Sequence, residues 1–413
     1  MGCAKSVGKV FFPLDEELAL LPGTLTPHGH ETLVRLSSWM PFAKAAQILA
    51  DVMGIHVSKS LSQRYTEAAG AAYEEIQNEA VEKIEREIPA VEAVAERMQI
   101  SADGAMVPLL HGVWAEVRTL VIGEIPSVDE KSRGERGRAH NLSYFSRKVS
   151  AEEFQRLALV ELYRRGVAKA KEVAAVMDGA SWEQGFIDYH CPNAVRILDF
   201  PHAAEHINQV GEFVHGEKSE TSRSWLKERL HTLKHEGPQQ LLVEIREYQK
   251  EYPQAEILRS NLAYLEKREP QMQYPDFRAQ GWPIGSGIVE SGNKLVVEAR
   301  LKGAGMHWAG KNINPMLSLR NIICSDRWQE EWPKIELRLR QQNRKRRKRL
   351  CQTRNLVPAT TEVVRRPILD DKFIQTLAAE FREQESPRKP KKNPWRNFKH
   401  GKALYQPTSS PKK

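Results

Sequence analysis

Three acidic residues far apart in the chain, Asp103, Asp178 and Glu290, have the types and positions that metal-dependent phosphoryl transfer needs. The two aspartates each follow a strand-like apolar run, and Glu290 falls in the first turn of a predicted helix. Carboxylate oxygens are the ligands that Mg²⁺ and Mn²⁺ prefer. Two such ions, about 3.5–4 Å apart, can activate an attacking hydroxyl and stabilise a leaving oxygen. We therefore expect Asp103 and Asp178 to bind two Mg²⁺ or Mn²⁺ ions, with Glu290 completing the second site.

The elements that would position these residues alternate in the order β-β-β-α-β-α-β. This order predicts an α/β fold with a mixed five-stranded sheet and flanking helices. The predicted strands end at Asp103, lie within 113–125 and 142–149, and then cover 172–177 and 194–198, with helices over 151–165 and 181–189. Each aspartate is therefore expected at a strand terminus.

Only helical patterns occur from His202 to about Gln280, which predicts an all-helical insertion. Its expected helix stops are Gly211, Gly216 and Gly237. A glycine-rich turn, 281–287, then leads into a helix predicted from Ile288 to Lys302.

The stretch Pro41 to Tyr65 reads as two helices joined by a tight turn at Gly54, a possible helix-turn-helix. Its second helix would begin near Ser58 and direct outward the side chains of Lys59, Ser60, Ser62, Gln63 and Arg64. A plain helical hairpin in a bundle is the alternative. A Glu- and Ala-rich helical stretch follows over 66–97, interrupted at Pro89, and would space or dimerise the module.

Positive charge is concentrated near the C-terminus of this 413-residue chain, whose net charge is +9. Residues 388–413 hold nine Lys or Arg and no Asp or Glu, and the basic block 344–349 lies upstream. Such segments bind polyphosphate backbones or remain solvated tails. No apolar run is long enough for a membrane span and no secretory signal is evident, so we expect a cytoplasmic protein, and binding of its basic segments to DNA would make it nucleoid-associated. The four cysteines form no paired motif, which fits a reducing compartment.

Several sequence blocks together resemble those of Kra-type bacterial insertion-sequence transposases, which are related to mutator-like elements. The blocks are Asp103-Gly104-Ala105, 178–182, 197–203, 285–290 and 300–308. The resemblance extends over nearly the whole chain, from about Pro13 to Arg396. It implies a ribonuclease-H-like fold with an acidic triad of Asp103, Asp178 and Glu290, and an accessory pair, Asp199 and His202, that shapes the pocket. Members of that family carry a cysteine-rich, zinc-binding stretch before the segment corresponding to 12–15. Only Cys3 stands there in this sequence, as in an N-terminally shortened copy.

The function implied by this resemblance is recognition of terminal inverted repeats, metal-dependent cleavage of DNA strands, and transfer of the freed 3′-hydroxyl into target DNA. Self-association on paired ends is also expected. One alternative is an inactive, transposase-derived protein that only binds DNA. Another is a zinc metallopeptidase, because His202-Ala203-Ala204-Glu205-His206 is an HxxEH string.

The expected DNA-contacting residues are cationic or hydrogen-bonding side chains in three regions. They are Lys59, Gln63 and Arg64 in the N-terminal module, Lys294, Arg300 and Lys302 beside Glu290, and Arg344, Arg346 and Arg347 in the basic block. Trp282 and Trp308 are either stacking platforms for unpaired bases or packing anchors. Glu298 and Lys302 have the spacing of an ordinary ion pair.

These patterns divide the chain into five predicted segments. They are a helical N-terminal region (1–95), two parts of the catalytic core (96–202 and 281–328) separated by the insertion (203–280), and a basic, partly disordered tail (329–413).

Deleting residues 388–413 should weaken DNA binding and reduce its dependence on salt, because a phosphate that the tail no longer neutralises keeps its counterion. The measurement is the slope of log affinity against log salt for the full chain and the shortened chain on the same duplex. An unchanged slope would exclude the tail from phosphate contact.

Overall fold

All five predicted strands are present, and they form one mixed sheet. The computed structural model describes residues 4–6, 9–11, 18, 20–87, 95–126 and 138–356. A short antiparallel hairpin, β1 (Ala4–Ser6) and β2 (Lys9–Phe11), precedes the sheet in the chain. Cys3, residues 12–15, Pro89 and the tail 388–413 lie outside the described residues.

The sheet strands are β3 (Arg97–Pro108), β4 (Trp114–Glu124), β5 (His140–Arg147), β6 (Glu172–Met177) and β7 (Val195–Leu198). Their order across the sheet is β5-β4-β3-β6-β7. The pairs β3–β4 and β4–β5 are antiparallel, whereas β3–β6 and β6–β7 are parallel. Two short 3₁₀ turns, Leu110–Gly112 and Val167–Lys169, lie in the connections. The chain is therefore an α/β protein with a mixed sheet, as the sequence predicts.

Helices make up the N-terminal region, the crossovers and the insertion. They are α1 (Pro27–Trp39), α2 (Phe42–Met53), α3 (Lys59–Arg86), α4 (Ala151–Arg164), α5 (Ser181–His190), α6 (Phe200–His215), α7 (Glu220–His235), α8 (Gln239–Glu251) and α9 (Glu256–Lys267). After a 3₁₀ turn, Glu269–Met272, the helices are α10 (Tyr274–Ala279), α11 (Gly287–Gly292), α12 (Ala299–Leu301), α13 (Ile313–Cys324) and α14 (Trp328–Leu356). A π-helical stretch, Asn293–Glu298, joins α11 to α12, so the predicted helix 288–302 is continuous but not uniform.

Apolar clusters cover both faces of the sheet. On one face, α4 and α5 pack through Phe154, Leu157 and Phe186 against Ile100 and Leu120. On the other face, the stretch from α11 to α13 covers β3 and β4, and the helical insertion covers β6 and β7. Because strand side chains alternate between faces, Asp103 shares the second face with Ala105 and Val107.

The predicted insertion is confirmed as all-helical, with one correction. Gly216 and Gly237 follow helix ends with positive φ, 94° and 99°. Gly211 lies inside α6 instead, where Trp225 packs so closely that a side chain would not fit. Gly211 therefore allows a close contact between helices and does not end a helix.

The predicted N-terminal helices are present, but the second belongs to a larger assembly. Gly54 adopts the left-handed conformation (φ 67°) and the Ser58 side chain caps α3, as expected. However, α3 continues for 28 residues to Arg86 and packs against α1, α2, α4 and α13. Ser62, expected to point outward, is buried and shares a hydrogen bond of 2.8 Å with Ser37.

The tail predicted from residue 329 begins instead with a helix. The first half of α14 packs through Trp328, Trp332, Ile335 and Leu339 against α1, α3 and α13. The basic block 344–349 continues this helix, exposed to solvent. The described residues up to Cys351 belong to one compact unit. Across the described residues, no helix combines the length and the apolar character that crossing a membrane requires.

Replacing Gly70 by alanine should destabilise the protein, although alanine is the better helix former. Gly70 of α3 lies against the Pro315 carbonyl of α13, so a methyl group would force two packed helices apart. We expect a loss of at least about 2 kcal/mol. Gly185→Ala is the matched control, since nothing lies within 4 Å of its added methyl, and should stabilise α5 by about 0.5–1 kcal/mol. Equal urea midpoints for the two variants would contradict this packing.

Candidate metal centre

Asp103 and Asp178 meet because β3 and β6 run parallel in one register. The last paired residues of the two strands are Ile100 and Ala175. Three residues further along each chain segment, Asp103 comes level with Asp178. Asp178 directly follows β6, as predicted. Asp103 does not end a strand: it lies inside β3 and pairs with Thr119 of β4. The Asp-Gly dipeptide reads as a turn, yet pairing with β4 keeps this chain extended to Pro108.

A third carboxylate that the sequence did not single out, Glu183, completes this cluster. One ligand oxygen each from Asp103, Asp178 and Glu183 lies within 4.8 Å of the others, so the three could hold a metal ion. Among the described residues this is the one group of three or more His, Cys, Asp or Glu with that geometry. Glu183 lies in the first turn of α5, directly after the Asp178 turn.

Glu290 lies next to the cluster but outside it. It sits in α11 with an exposed side chain, and its charge is near enough to raise the pKa of Asp103. Three residues later, Asn293 donates a hydrogen bond of 2.8 Å from Nδ2 to Asp103 Oδ2. The structure therefore brings all three predicted acidic residues to one region, and it adds Glu183 to them.

Burial is the main influence on protonation in the cluster. It raises the pKa of Asp103, and the charges of Asp178 and Glu290 raise it further, while hydrogen bonds from Gly104 and Asn293 act in the opposite direction. Burial, a hydrogen bond with Asp178 and the two aspartate charges raise the pKa of Glu183 to about 10. A proton on Glu183 therefore relieves the repulsion in the metal-free cluster.

The fully buried carboxyl of Glu183 fits the ligand role. Gly179 N donates 3.1 Å to Glu183 Oε2, whereas Oε1 is buried with no donor from the described residues. A buried carboxylate oxygen without a donor is unfavourable, and a cation would satisfy it as a proton does. The donor set therefore suits a hard divalent cation.

The helical insertion holds the turn that carries Asp178. The Tyr264 hydroxyl donates to the Asp178 carbonyl, and the Arg268 guanidinium donates to the Gly179 carbonyl. The guanidinium also lies over the Tyr264 ring at 3.7 Å. Gly179 has φ of 86° and leaves no room for a side chain beside Arg268. Ala180 N donates 2.7 Å to Asp178 Oδ1, which fixes the carboxylate within the turn.

Asp199 and His202, the expected accessory pair, have a structural relation to the centre. Asp199 is buried, caps α6 by accepting from His202 N (3.1 Å), and accepts 2.6 Å from Ser286 N just before α11. It thereby joins the strand end after β7 to the helix that carries Glu290. The His202 ring contacts the rings of His206 and Tyr264.

The HxxEH string does not assemble a zinc site in the described part of the chain. His202, Glu205 and His206 do not gather as a metal-binding group. His206 Nδ1 shares a hydrogen bond of 2.6 Å with Asn261, and the ring stacks on Tyr264 at 3.8 Å. The histidines of this motif therefore serve packing in the insertion.

The predicted DNA-contacting residues differ in exposure. Lys59, Arg64, Lys294, Arg344, Arg346 and Arg347 are exposed. Gln63 donates to Glu67, and Lys302 forms an ion pair of 2.7 Å with Glu298. The prediction that Arg300 contacts DNA is wrong, because Arg300 is 1% exposed and donates a hydrogen bond of 2.9 Å to the Ser37 carbonyl. The tryptophans considered for base stacking, Trp282 and Trp308, are buried packing anchors.

Sequence reasoning missed Glu183, Asn293, Tyr264 and Arg268. For Glu183 a signal existed, because an acidic residue in the first helical turn after a strand-end aspartate is placed near it. For Tyr264 and Arg268 no local pattern indicates that their helix docks on the Asp178 turn. No protein-family model matches this sequence, and no curated protein matches it either.

Glu183→Gln should stabilise the metal-free protein at pH 7 by roughly 2–3 kcal/mol, since folding no longer takes up a proton. Because the folded pKa lies above the ordinary 4.5, wild-type stability falls as pH rises from about 4.5 towards about 10. In the variant, the free energy of unfolding should not show this part of the decrease. The measurement is urea unfolding at several pH values in the presence of a chelator.

Added Mg²⁺ or Mn²⁺ should raise the melting temperature of the wild type more than that of Glu183→Gln. Glu205→Gln is the control, because that carboxyl is 72% exposed. If the free energy of unfolding changed with pH in the same way for wild type and for Glu183→Gln, a buried, titrating Glu183 would be excluded.

Proposed function

We propose that this protein is an insertion-sequence DNA transposase that cuts strands at element ends and joins the freed 3′-hydroxyl to target DNA. The observation that carries the proposal is the register of β3 and β6, which sets Asp103 beside Asp178. Residues 75 positions apart (178 − 103) are brought to one point, with Glu183 against them and Glu290 adjacent.

The architecture supports the ribonuclease-H-like assignment within this proposal. Three antiparallel strands are followed by two parallel strands joined through helical crossovers, and an all-helical segment separates them from the helix with the last carboxylate. This arrangement is the one that the family resemblance implies. Fold alone does not determine function, so the carboxylate cluster supports the proposal more strongly than the sheet topology does.

The charge distribution supports DNA as the substrate. Lys294 is exposed one turn beyond Glu290, and the exposed basic block 344–349 extends from the packed part of α14. Exposed cations of this kind can bind the phosphates of a DNA backbone. Lys59 and Arg64, exposed at the start of α3, add to the basic surface.

In the proposed reaction the chain's residues orient oxygen ligands and restrict their motion. Asp103 is fixed by hydrogen bonds from Gly104 and Asn293, and Asp178 by Ala180 N. Such preorganisation matters because an ångström of misplacement costs orders of magnitude in rate. Two Mg²⁺ or Mn²⁺ ions, when bound, would supply charge neutralisation for in-line attack at a phosphodiester. Glu290, whose side chain is exposed, would face the substrate.

Asp103→Asn, Asp178→Asn and Glu290→Gln should each reduce Mg²⁺-dependent cleavage of a labelled element end by at least about 100-fold, because each removes a carboxylate charge from the centre. Glu205→Gln is the matched control and should cleave as the parent does, because Glu205 lies outside the carboxylate cluster. Melting curves confirm that each variant folds.

Two results would contradict the proposal. Parental cleavage by Asp178→Asn would remove this residue from the chemistry. Cleavage absent from the parent with every divalent ion, together with retained DNA binding, would favour an inactive DNA-binding copy.

A further inference from the structure

Trp39, at the C-terminal end of α1, is an exposed tryptophan held in a fixed orientation. Its side chain is 45% exposed. The guanidinium of Arg320 lies over its ring at 4.5 Å from the centroid, and Arg320 itself is completely buried. One face of the indole is therefore covered from inside the protein, and the exposed area belongs to the other face and the edges.

Arg320 is itself anchored on three carbonyl oxygens. It donates 2.9 Å to Ser38, 3.2 Å to Val296, and also to Leu295. Arg300 likewise donates 2.9 Å to Ser37. Two buried cations thus satisfy the last carbonyls of α1, where the helix dipole favours positive charge. The guanidinium beneath the indole is therefore held in place by its own hydrogen bonds and supports the ring on that face.

A groove of about 450 Å³ lies along the outer side of α1 and includes Trp39. It is lined by His28, Glu31, Thr32, Arg35, Leu36 and Trp39 of α1 and by Gln329 of α14. The Glu31 carboxylate already accepts 2.9 Å from Trp328 Nε1. The Thr32 hydroxyl donates 2.8 Å to the His28 carbonyl, so the donors left to a ligand come from His28, Arg35 and Gln329, with a positive charge on Arg35.

We propose that this groove binds an unpaired nucleobase of single-stranded DNA, stacked on the open face of Trp39. The inference rests on the proposed function for the identity of the polymer, because strand cleavage and transfer transiently leave unpaired DNA near the carboxylates. A flat ring offers a surface for any base, whereas the donors of the groove suit base edges and phosphate oxygens. The charge of Arg320 below the ring makes the electrostatic potential at Trp39 more positive.

The geometry favours a single strand over a duplex. Stacked bases in a duplex already cover each other's faces, so an intact duplex offers the indole no free face. The Trp39 end of the groove lies near the helical stretch that follows Glu290, because Arg320 beneath the ring donates to the carbonyls of Leu295 and Val296. From Trp39, a strand held in the groove would continue along α1 towards His28.

The test compares the binding of a labelled deoxythymidine oligonucleotide and of a hairpin duplex of equal length, in a chelator that prevents cleavage. Trp39→Ala should weaken single-strand binding by about 5- to 150-fold, the equivalent of about 1–3 kcal/mol for one stacked base, and leave duplex binding within about twofold. Trp39→Phe should retain most of the affinity. Trp114→Ala is the matched control, because Trp114 is 55% exposed on the β3–β4 hairpin and does not line this groove.

Two further measurements guard against a trivial loss of folding. Gln329→Glu places a negative charge in the groove and leaves Trp39 and Arg320 untouched, and it should weaken single-strand binding because it repels the phosphates. An oligonucleotide with abasic sites should bind the parent as weakly as the intact oligonucleotide binds Trp39→Ala. Equal losses for Trp39→Ala and Trp114→Ala, or equal losses for single strand and duplex, would overturn the proposal.

Asp178→Asn separates this inference from the proposed function. It should bind the single strand with parental affinity while losing cleavage. If the parent cleaves and Trp39→Ala binds single strands as the parent does, the groove proposal fails alone. If single-strand binding depends on Trp39 but no divalent ion supports cleavage, the groove proposal is retained and the transposase proposal fails.

Discussion

Mutual repulsion among buried carboxylates is the constraint that the rest of this structure offsets. Asp103, Asp178 and Glu183 present oxygens within 4.8 Å of one another, a spacing at which like charges oppose full ionisation. The donors that oppose the repulsion come from separate parts of the chain. Backbone amides after each aspartate supply local hydrogen bonds, and Asn293 supplies one from a helix 190 residues later. The cluster therefore exists only when the sheet, α5 and the α11 region are all assembled.

The helical insertion is part of this assembly. Through Tyr264 and Arg268 it bonds the two carbonyls of the Asp178–Gly179 turn, and its own packing orders those side chains. Asp199 performs a similar function on the neighbouring strand end, because its two oxygens cap α6 and hold the turn before α11. Each predicted acidic position is thus supported by a tertiary contact, and loss of the insertion would release Asp178 even if the sheet survived.

The sequence predicts the elements well and their tertiary contacts poorly, for physical reasons. Apolar periodicity and capping residues are local, so the five strands, the capping of α4 by Ser150 and the all-helical insertion can be read from the chain. The expected strand end at Asp103 is wrong because Asp-Gly favours turns locally, while eleven-residue pairing with β4 overrides that preference. Arg300 is expected on the surface because arginine is rarely buried. It is buried here because the end of α1 offers carbonyls that need donors, and helix packing that distant in sequence leaves no local signal.

One helical stretch links the proposed chemistry to the proposed strand-binding groove. Asn293 bonds Asp103, and two and three residues later the carbonyls of Leu295 and Val296 accept from Arg320, which supports Trp39. These residues belong to a π-helical stretch, a conformation that is rare and often occurs at functional sites. Since both contacts are made by one continuous helix, a base on Trp39 and a phosphate at the carboxylates would be held at a set separation. A set separation of this kind would help to position a strand for in-line attack.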